Sequence, residues 1–305
     1  ETTGMPWASG VHMPLFFFSG CDVPLLPVAP SLVKRLRFLG PWFWRPLIRA
    51  SMRATRLVGK PWYDLRRELS LPRAAGVNAL LDSHSPTLVL ALFSQLLARH
   101  QCDWPPHTVT TGFPFYDGGS VELSAELQEF LDRGAPPIVF TLGTAVSSDA
   151  GQFFQHSLAA AQRLGRRAVL VIKHGHNLPG ALPSNVMAVD FAAFSQLFPR
   201  AEIIVHHGGI GTTGLAMRAG KPMLVVPHAW DQPDNADRVV RLGIGRSVWP
   251  RHYTAARAAH ELRQLLENDH YRSRAAEIAK IVSLEHGAVV ACDALQRLLS
   301  ATKRA

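Results

Sequence analysis

Between Pro136 and about Leu299 the chain alternates two hydrophobic rhythms. Continuous apolar runs of strand length, "PIVFTLGT", "RAVLVIKHG", "NVMAVDF", "EIIVHHGG" and "KPMLVVPH", are separated by stretches with helical spacing of their apolar residues: "AGQFFQHSLAAAQRLG", "SQLFPRA", "TTGLAMRAG" and "QPDNADRVVRLG". The first kind predicts buried strands, the second helices packed on one face. Further helices are predicted from Thr254 onward. Strand and helix taking turns at this spacing imply right-handed crossovers and a parallel sheet covered on both faces, an α/β fold.

The preceding part is less regular. It opens with "MPWASGVHMPLFFFSG", passes through a basic helical stretch, and recovers strand-like runs at "PTLVLALF" and "HTVTTGF". The polar, Gly-rich stretch "FPFYDGGSVELS" reads as a linker and divides the chain into domains 1–118 and 119–305. A length of 305 residues agrees with two domains, because single hydrophobic cores stop growing near about 250–300 residues.

Composition adds a packed interior and little else: 47% of residues are hydrophobic and 18% charged, so disorder is not expected. Cys21, Cys102 and Cys292 are odd in number and show no CxxC spacing, which suggests neither a disulfide framework nor a zinc site and fits a reducing compartment. Neither a basic-then-apolar leader nor an apolar run of spanning length is present, so no signal peptide or spanning helix is expected. Charge is more informative. Ser31 to Arg73 holds eleven Lys or Arg against Asp64 and Glu68, the whole of the chain's +9 excess, interleaved with Trp42, Phe43, Trp44, Trp62 and Tyr63. Such interleaving suits a lipid headgroup surface, while a solvated helical face with its aromatics turned inward is the plainer alternative.

The candidate chemistry lies in "HHGGIGTTGLAMRAGKPMLVVPHAWDQPDNA", His206 to Ala236. Where a parallel strand hands over to a helix, unpaired N–H groups and the positive dipole end face outward, and glycines let an anion approach that backbone. "EIIVHH" supplies the strand, Gly208, Gly209 and Gly211 the open backbone, and Thr212 and Thr213 hydroxyl donors. His207 adds a ring N–H. The expected guest is a phosphate. Gly209, Gly211 and Gly214 also satisfy GxGxxG, which makes a nicotinamide-dependent oxidoreductase the first rival. Against it, the motif follows several strands rather than opening the domain, and the next strand ends in Pro227 and His228 instead of an acidic residue. One strand later, Asp231 and Gln232 should emerge on the same carboxyl edge, a carboxylate beside an amide suited to vicinal hydroxyls. The alternative is that Asp231 or Asp234 merely caps the following helix.

These motifs, taken in order ("FTLGTA", "FAAFSQLFPRA", "HHGGIGTT", "AGKPMLVVPHAWDQPDNADRVVRLGIG"), resemble the donor domain of GT-B glycosyltransferases. The nearest resemblance is to bacterial relatives of the UDP-glucuronosyl and UDP-glucosyl transferases that act on sterols, macrolides and glycopeptide aglycones. The resemblance implies two Rossmann-like domains with parallel sheets, residues 1–118 being part of an acceptor-binding domain and 119–305 the nucleotide-sugar domain. It implies that His207, Gly209, Gly211, Thr212 and Thr144 hold the donor diphosphate and that Asp231 and Gln232 bind the sugar. It places Phe191 where plant relatives stack a Trp on the base.

The implied reaction is inverting and metal-independent, moving a sugar from a UDP or dTDP donor to a hydroxyl of a lipophilic acceptor. The nucleotide sugar is a co-substrate, no further cofactor is implied, and no nucleic-acid partner is expected. Family members begin with a strand and loop carrying the catalytic His or Asp; this segment has no counterpart here, so the general base is unassigned, and neither His12 nor His84 is taken for it. A donor-binding chain without turnover is therefore the second alternative. The expected location is cytoplasmic, with peripheral contact at the inner membrane surface.

Overall fold

The computed structural model describes residues 5–26, 28–71, 78, 84–116, 122–143, 150–172 and 182–302. The chain divides into two compact units, Glu1–Pro114 together with Glu285–Ala305, and Phe115–Leu284.

In the first unit, β1 (Ala8–Val11), β2 (Leu88–Ala91) and β3 (Thr108–Thr110) form a parallel sheet in that order. Between β1 and β2 run α1 (Pro30–Leu36), α2 (Gly40–Ala54) and α3 (Lys60–Glu68). The C-terminal helix Gly287–Thr302 also belongs here: its Ala294 is buried with Leu88 and Leu90, flanked by Ala291 and Leu298. A division at residues 118/119 would assign that helix to the second domain. Its small apolar face instead covers β2, and Glu285 secures the return by accepting hydrogen bonds from Ser94 Oγ (2.6 Å) and Phe113 N (3.4 Å).

The second unit carries six parallel strands: β4 (Ile138–Thr141), β5 (Ala168–Val171), β6 (Val186–Val189), β7 (Ile203–His206), β8 (Met223–Val225) and β9 (Gly245–Ser247). Their order is β6-β5-β4-β7-β8-β9. Helices α4 (Ala125–Asp132), α5 (Phe153–Arg163), α6 (Phe194–Leu197), α7 (Ile210–Ala219), α8 (Gln232–Arg241), α9 (Ala255–Glu267) and α10 (Asp269–Val282) complete it. All five strands read from apolar runs form where expected. The strand β9 and helix α4 add to them: β9 is too short for a periodic signal, and Ser124, at the end of the presumed linker, caps α4 by accepting from Leu127 N.

Parallel pairing buries both faces of the strands, so Ile138, Val139, Phe140, Ile204, Val205 and Leu224 are fully buried. After β4 the chain moves outward through β5 and β6, then returns to the other side of β4 with β7. That reversal is a topological switch point, and open parallel sheets bind ligands at such a point, here the carboxyl ends of β4 and β7. The register aligns Thr141 with His206 and His206 with Val225, so the loops leaving β4, β7 and β8 start side by side.

Candidate functional site

The site grows from the end of β7. Ile203, Ile204 and Val205 are β-branched and buried, which drives the strand into the sheet and carries His206 and His207 to its rim. The two histidines then part. His206 is fully buried; its Nδ1 accepts from Gly208 N (3.1 Å) and its Nε2 lies 3.4 Å from Met223 Sδ. Burial, with His207 nearby, pushes its pKa down to about 3, so it is a neutral structural ring that shapes the turn.

His207 is the functional candidate. Its ring lies between two backbones that only glycine allows so close: a Cβ on Gly143 would sit 2.5 Å from its Cε1, and one on Gly209 would sit 2.4 Å from its Nε2. Gly143 also has φ +62°, in the left-handed region. Burial, then His228, pushes the His207 pKa down to about 4. The ring is therefore neutral near pH 7. Its Nδ1 is buried without a hydrogen-bond partner among the described residues.

Gly209 is the N-cap of α7, and the first helical bond runs from Thr213 N to Gly209 O (2.9 Å). The N–H groups of Ile210, Gly211 and Thr212 precede it and have no acceptor within the helix. A Cβ on Gly211 would meet nothing within 4 Å, so open space lies over this turn. The two threonines differ: Thr213 donates back to Gly209 O (3.0 Å), whereas Thr212, half-buried, has no side-chain partner among the described residues.

The loop after β8 comes to the same edge. Gln232 Oε1 accepts from His228 N (2.8 Å) and Ala229 N (3.1 Å), which folds the loop into a tight turn and leaves Nε2 as the amide's open donor. Inside that turn Trp230 is 80% exposed and has φ +57°, an uncommon conformation for a bulky residue. Such strain typically costs about 1–3 kcal/mol and persists where the surroundings hold it. Asp231 occupies the N-cap position of α8, but its side chain makes no capping bond. It accepts instead from Asn235 Nδ2 (2.7 Å), which also donates to Gly208 O (2.9 Å). Asn235 thus joins the glycine turn to the acidic loop. Asp234 is no cap either: it pairs with Arg238 at 2.8 Å, both side chains buried.

Six expected residues, His207, Gly209, Gly211, Thr212, Asp231 and Gln232, therefore stand at the adjoining ends of β7 and β8. Phe191 is 71% exposed just beyond β6, the edge strand of the same sheet. Thr144 lies outside the described residues. Sequence reasoning missed Asn235 and Gly143. The former repeats the helical i, i+4 spacing from Asp231; the latter sits in "FTLGTA" and lacked only the knowledge that β4 and β7 are neighbours. His84 packs in the first unit, stacked on Phe17 at 5.5 Å.

Most of the chain has the fold of GT-B glycosyltransferases, with the glycine turn at the switch point of its second sheet and the acid-amide pair one strand away. The kitacinnamycin glycotransferase structure superposes with a TM-score of 0.66 at 20% identity, covering 88% of this chain and 65% of that one. Residues 155–287 match the erythromycin biosynthesis protein CIII-like C-terminal domain. An O-mycaminosyltylonolide 6-deoxyallosyltransferase of Streptomyces fradiae is 33% identical over 231 residues, 75% of this chain and 54% of the relative. A sterol 3-beta-glucosyltransferase of Arabidopsis thaliana is 29% identical over 221 residues, 71% and 35% of the two chains. The chain thus spans 54% and 35% of the lengths of these relatives.

Proposed function

We propose that this chain binds a UDP- or dTDP-sugar and belongs to an inverting glycosyltransferase acting on a hydroxyl of a lipophilic acceptor. The observation that carries the reading is His207, held neutral between Gly143 and Gly209 at the start of α7. As the glycosidic bond breaks, negative charge builds on the departing diphosphate. The N–H groups of Ile210, Gly211 and Thr212, the Thr212 hydroxyl and a ring N–H of His207 are preorganised donors for that charge. Such a donor set stabilises the leaving group without requiring a metal. Asp231 accepts from sugar hydroxyls, Gln232 Nε2 donates to them, and Phe191 stacks on the base. Thr144 is proposed as a further phosphate contact on the resemblance alone.

Calorimetric titration with UDP, dTDP and NADH tests the site. Uridine or thymidine diphosphate should bind and NADH should not; tight NADH binding would support the oxidoreductase instead. Binding without sugar transfer or donor hydrolysis would establish the donor-binding alternative.

The reading extends to an acceptor presented at a cytoplasmic membrane surface. Between residues 30 and 68 the aromatics divide: Trp44 is buried and donates to Leu36 O (3.0 Å), while Phe38 and Trp42 are more than 80% exposed in this cation-rich segment. Leu57 and Val58 are equally exposed. Among the described residues no helix is long and apolar enough to cross a membrane. Anionic liposomes should sediment the protein at low salt and release it as salt rises; Trp42→Ala should weaken capture, and absence of any sedimentation would end this extension.

A further inference from the structure

Cys21 and Cys102 are 81 residues apart in sequence, yet their sulfurs lie 3.0 Å apart in the first unit. The covalent bond between two such sulfurs is ~2.05 Å, about 1 Å less than this separation. Neither cysteine arrives there by chance of a loose loop, because the neighbour of each is clamped. Asp103 accepts from Ser19 Oγ (2.6 Å), Gly20 N (2.8 Å) and Arg45 Nε (3.2 Å), tying the loop that carries Cys21 to the loop that carries Cys102. Gly20 permits the clamp, since a Cβ there would fall 2.5 Å from Arg45 Cγ. Arg45 then extends its Nη2 to both sulfurs, 3.2 Å from Cys21 and 3.0 Å from Cys102. A guanidinium donating to two adjacent thiols stabilises whichever becomes a thiolate, the nucleophilic form.

We propose that Cys21 and Cys102 are a reversible thiol–disulfide pair that exchanges with low-molecular-weight disulfides. Cys102 is exposed and Cys21 is less so, its thiol pushed up to about 11 mainly by burial and by Cys102 itself, so Cys102 makes the first attack. Its thiolate attacks one sulfur of the small disulfide and expels one small thiolate, leaving a mixed disulfide on Cys102. The Cys21 thiolate then attacks the Cys102 sulfur and expels the second small thiolate. The protein loses two protons and two electrons, and the small disulfide takes them up to become two thiols. Oxidation would convert the Asp103 clamp into a covalent tether between the two loops. A small thiol in excess reverses both steps.

The test exposes the folded chain to oxidised glutathione, alkylates it with iodoacetamide and maps its peptides without reduction. The expected result is one cross-linked peptide pair joining Cys21 and Cys102, lost on reduction, with neither of the two alkylated and Cys292 carrying glutathione or the alkyl group. Cys21→Ser should instead accumulate a glutathione mixed disulfide on Cys102. Full alkylation of both cysteines, or a mixed disulfide persisting on wild-type Cys102, would overturn the proposal. Because the wild-type map alone decides this, an unstable variant does not weaken the test.

Discussion

His207→Ala is expected to reduce sugar-transfer turnover by about 10²–10³-fold, as loss of one preorganised donor to a developing oxyanion does, equivalent to about 2.7–4 kcal/mol in the barrier. The ring is a strong candidate for so large an effect because its position is over-determined. Gly143 and Gly209 bracket it, and strand β7 delivers it to the start of α7, where the first N–H groups have no acceptor within the helix. Gly209→Ala should reproduce the loss, since its methyl would need the space 2.4 Å from the His207 Nε2. The defect should appear mainly in kcat, because charge on the diphosphate grows during bond cleavage. Measuring initial rates with a UDP- or dTDP-sugar decides it; wild-type turnover in His207→Ala would remove this residue from the proposed machinery.

Asp234→Ala is expected to be the most destabilising substitution near the site. Arg238 and Asp234 form an ion pair at 2.8 Å on α8, with side chains 2% and 0% exposed. Removing one member of such a pair leaves a buried charge without its carboxylate, typically at about 3–5 kcal/mol. For a domain of this size that corresponds to a fall in Tm of ~10 °C. Arg133→Ala supplies the comparison in the same unit. It breaks the i, i+4 pair with Glu129 on α4, whose side chains are 71% and 59% exposed, and a pair open to water contributes ~1 kcal/mol or less. Thermal melts of the two variants should therefore separate clearly, and equal Tm values would show that burial is not what makes the Asp234 pair matter.

The second unit was legible because its signals are local. A β-branched run, glycines and a helical period are contiguous from Glu202 to Gly220, so the strand-to-helix turn could be read directly. Asp231 and Gln232 were legible for the same reason, one strand later. Gln232 nevertheless has a double role that the sequence did not show: its carbonyl oxygen is committed to the turn and only its Nε2 is open. The possible capping roles of Asp231 and Asp234 were separated only by geometry, which joins one to Asn235 and the other to Arg238.

By itself, then, the sequence determined the α/β class, the order of strand and helix after Pro136, and the glycine turn after β7, all of which follow from hydrophobic period and backbone chemistry within a few residues. Tertiary structure decided what depends on strand order and loop return. It brought Gly143 to His207, placed the C-terminal helix on β2, and set the Cys21 and Cys102 sulfurs 3.0 Å apart. The physical reason is that a parallel sheet makes neighbours of strands distant in the chain, and no local periodicity encodes which strands those will be.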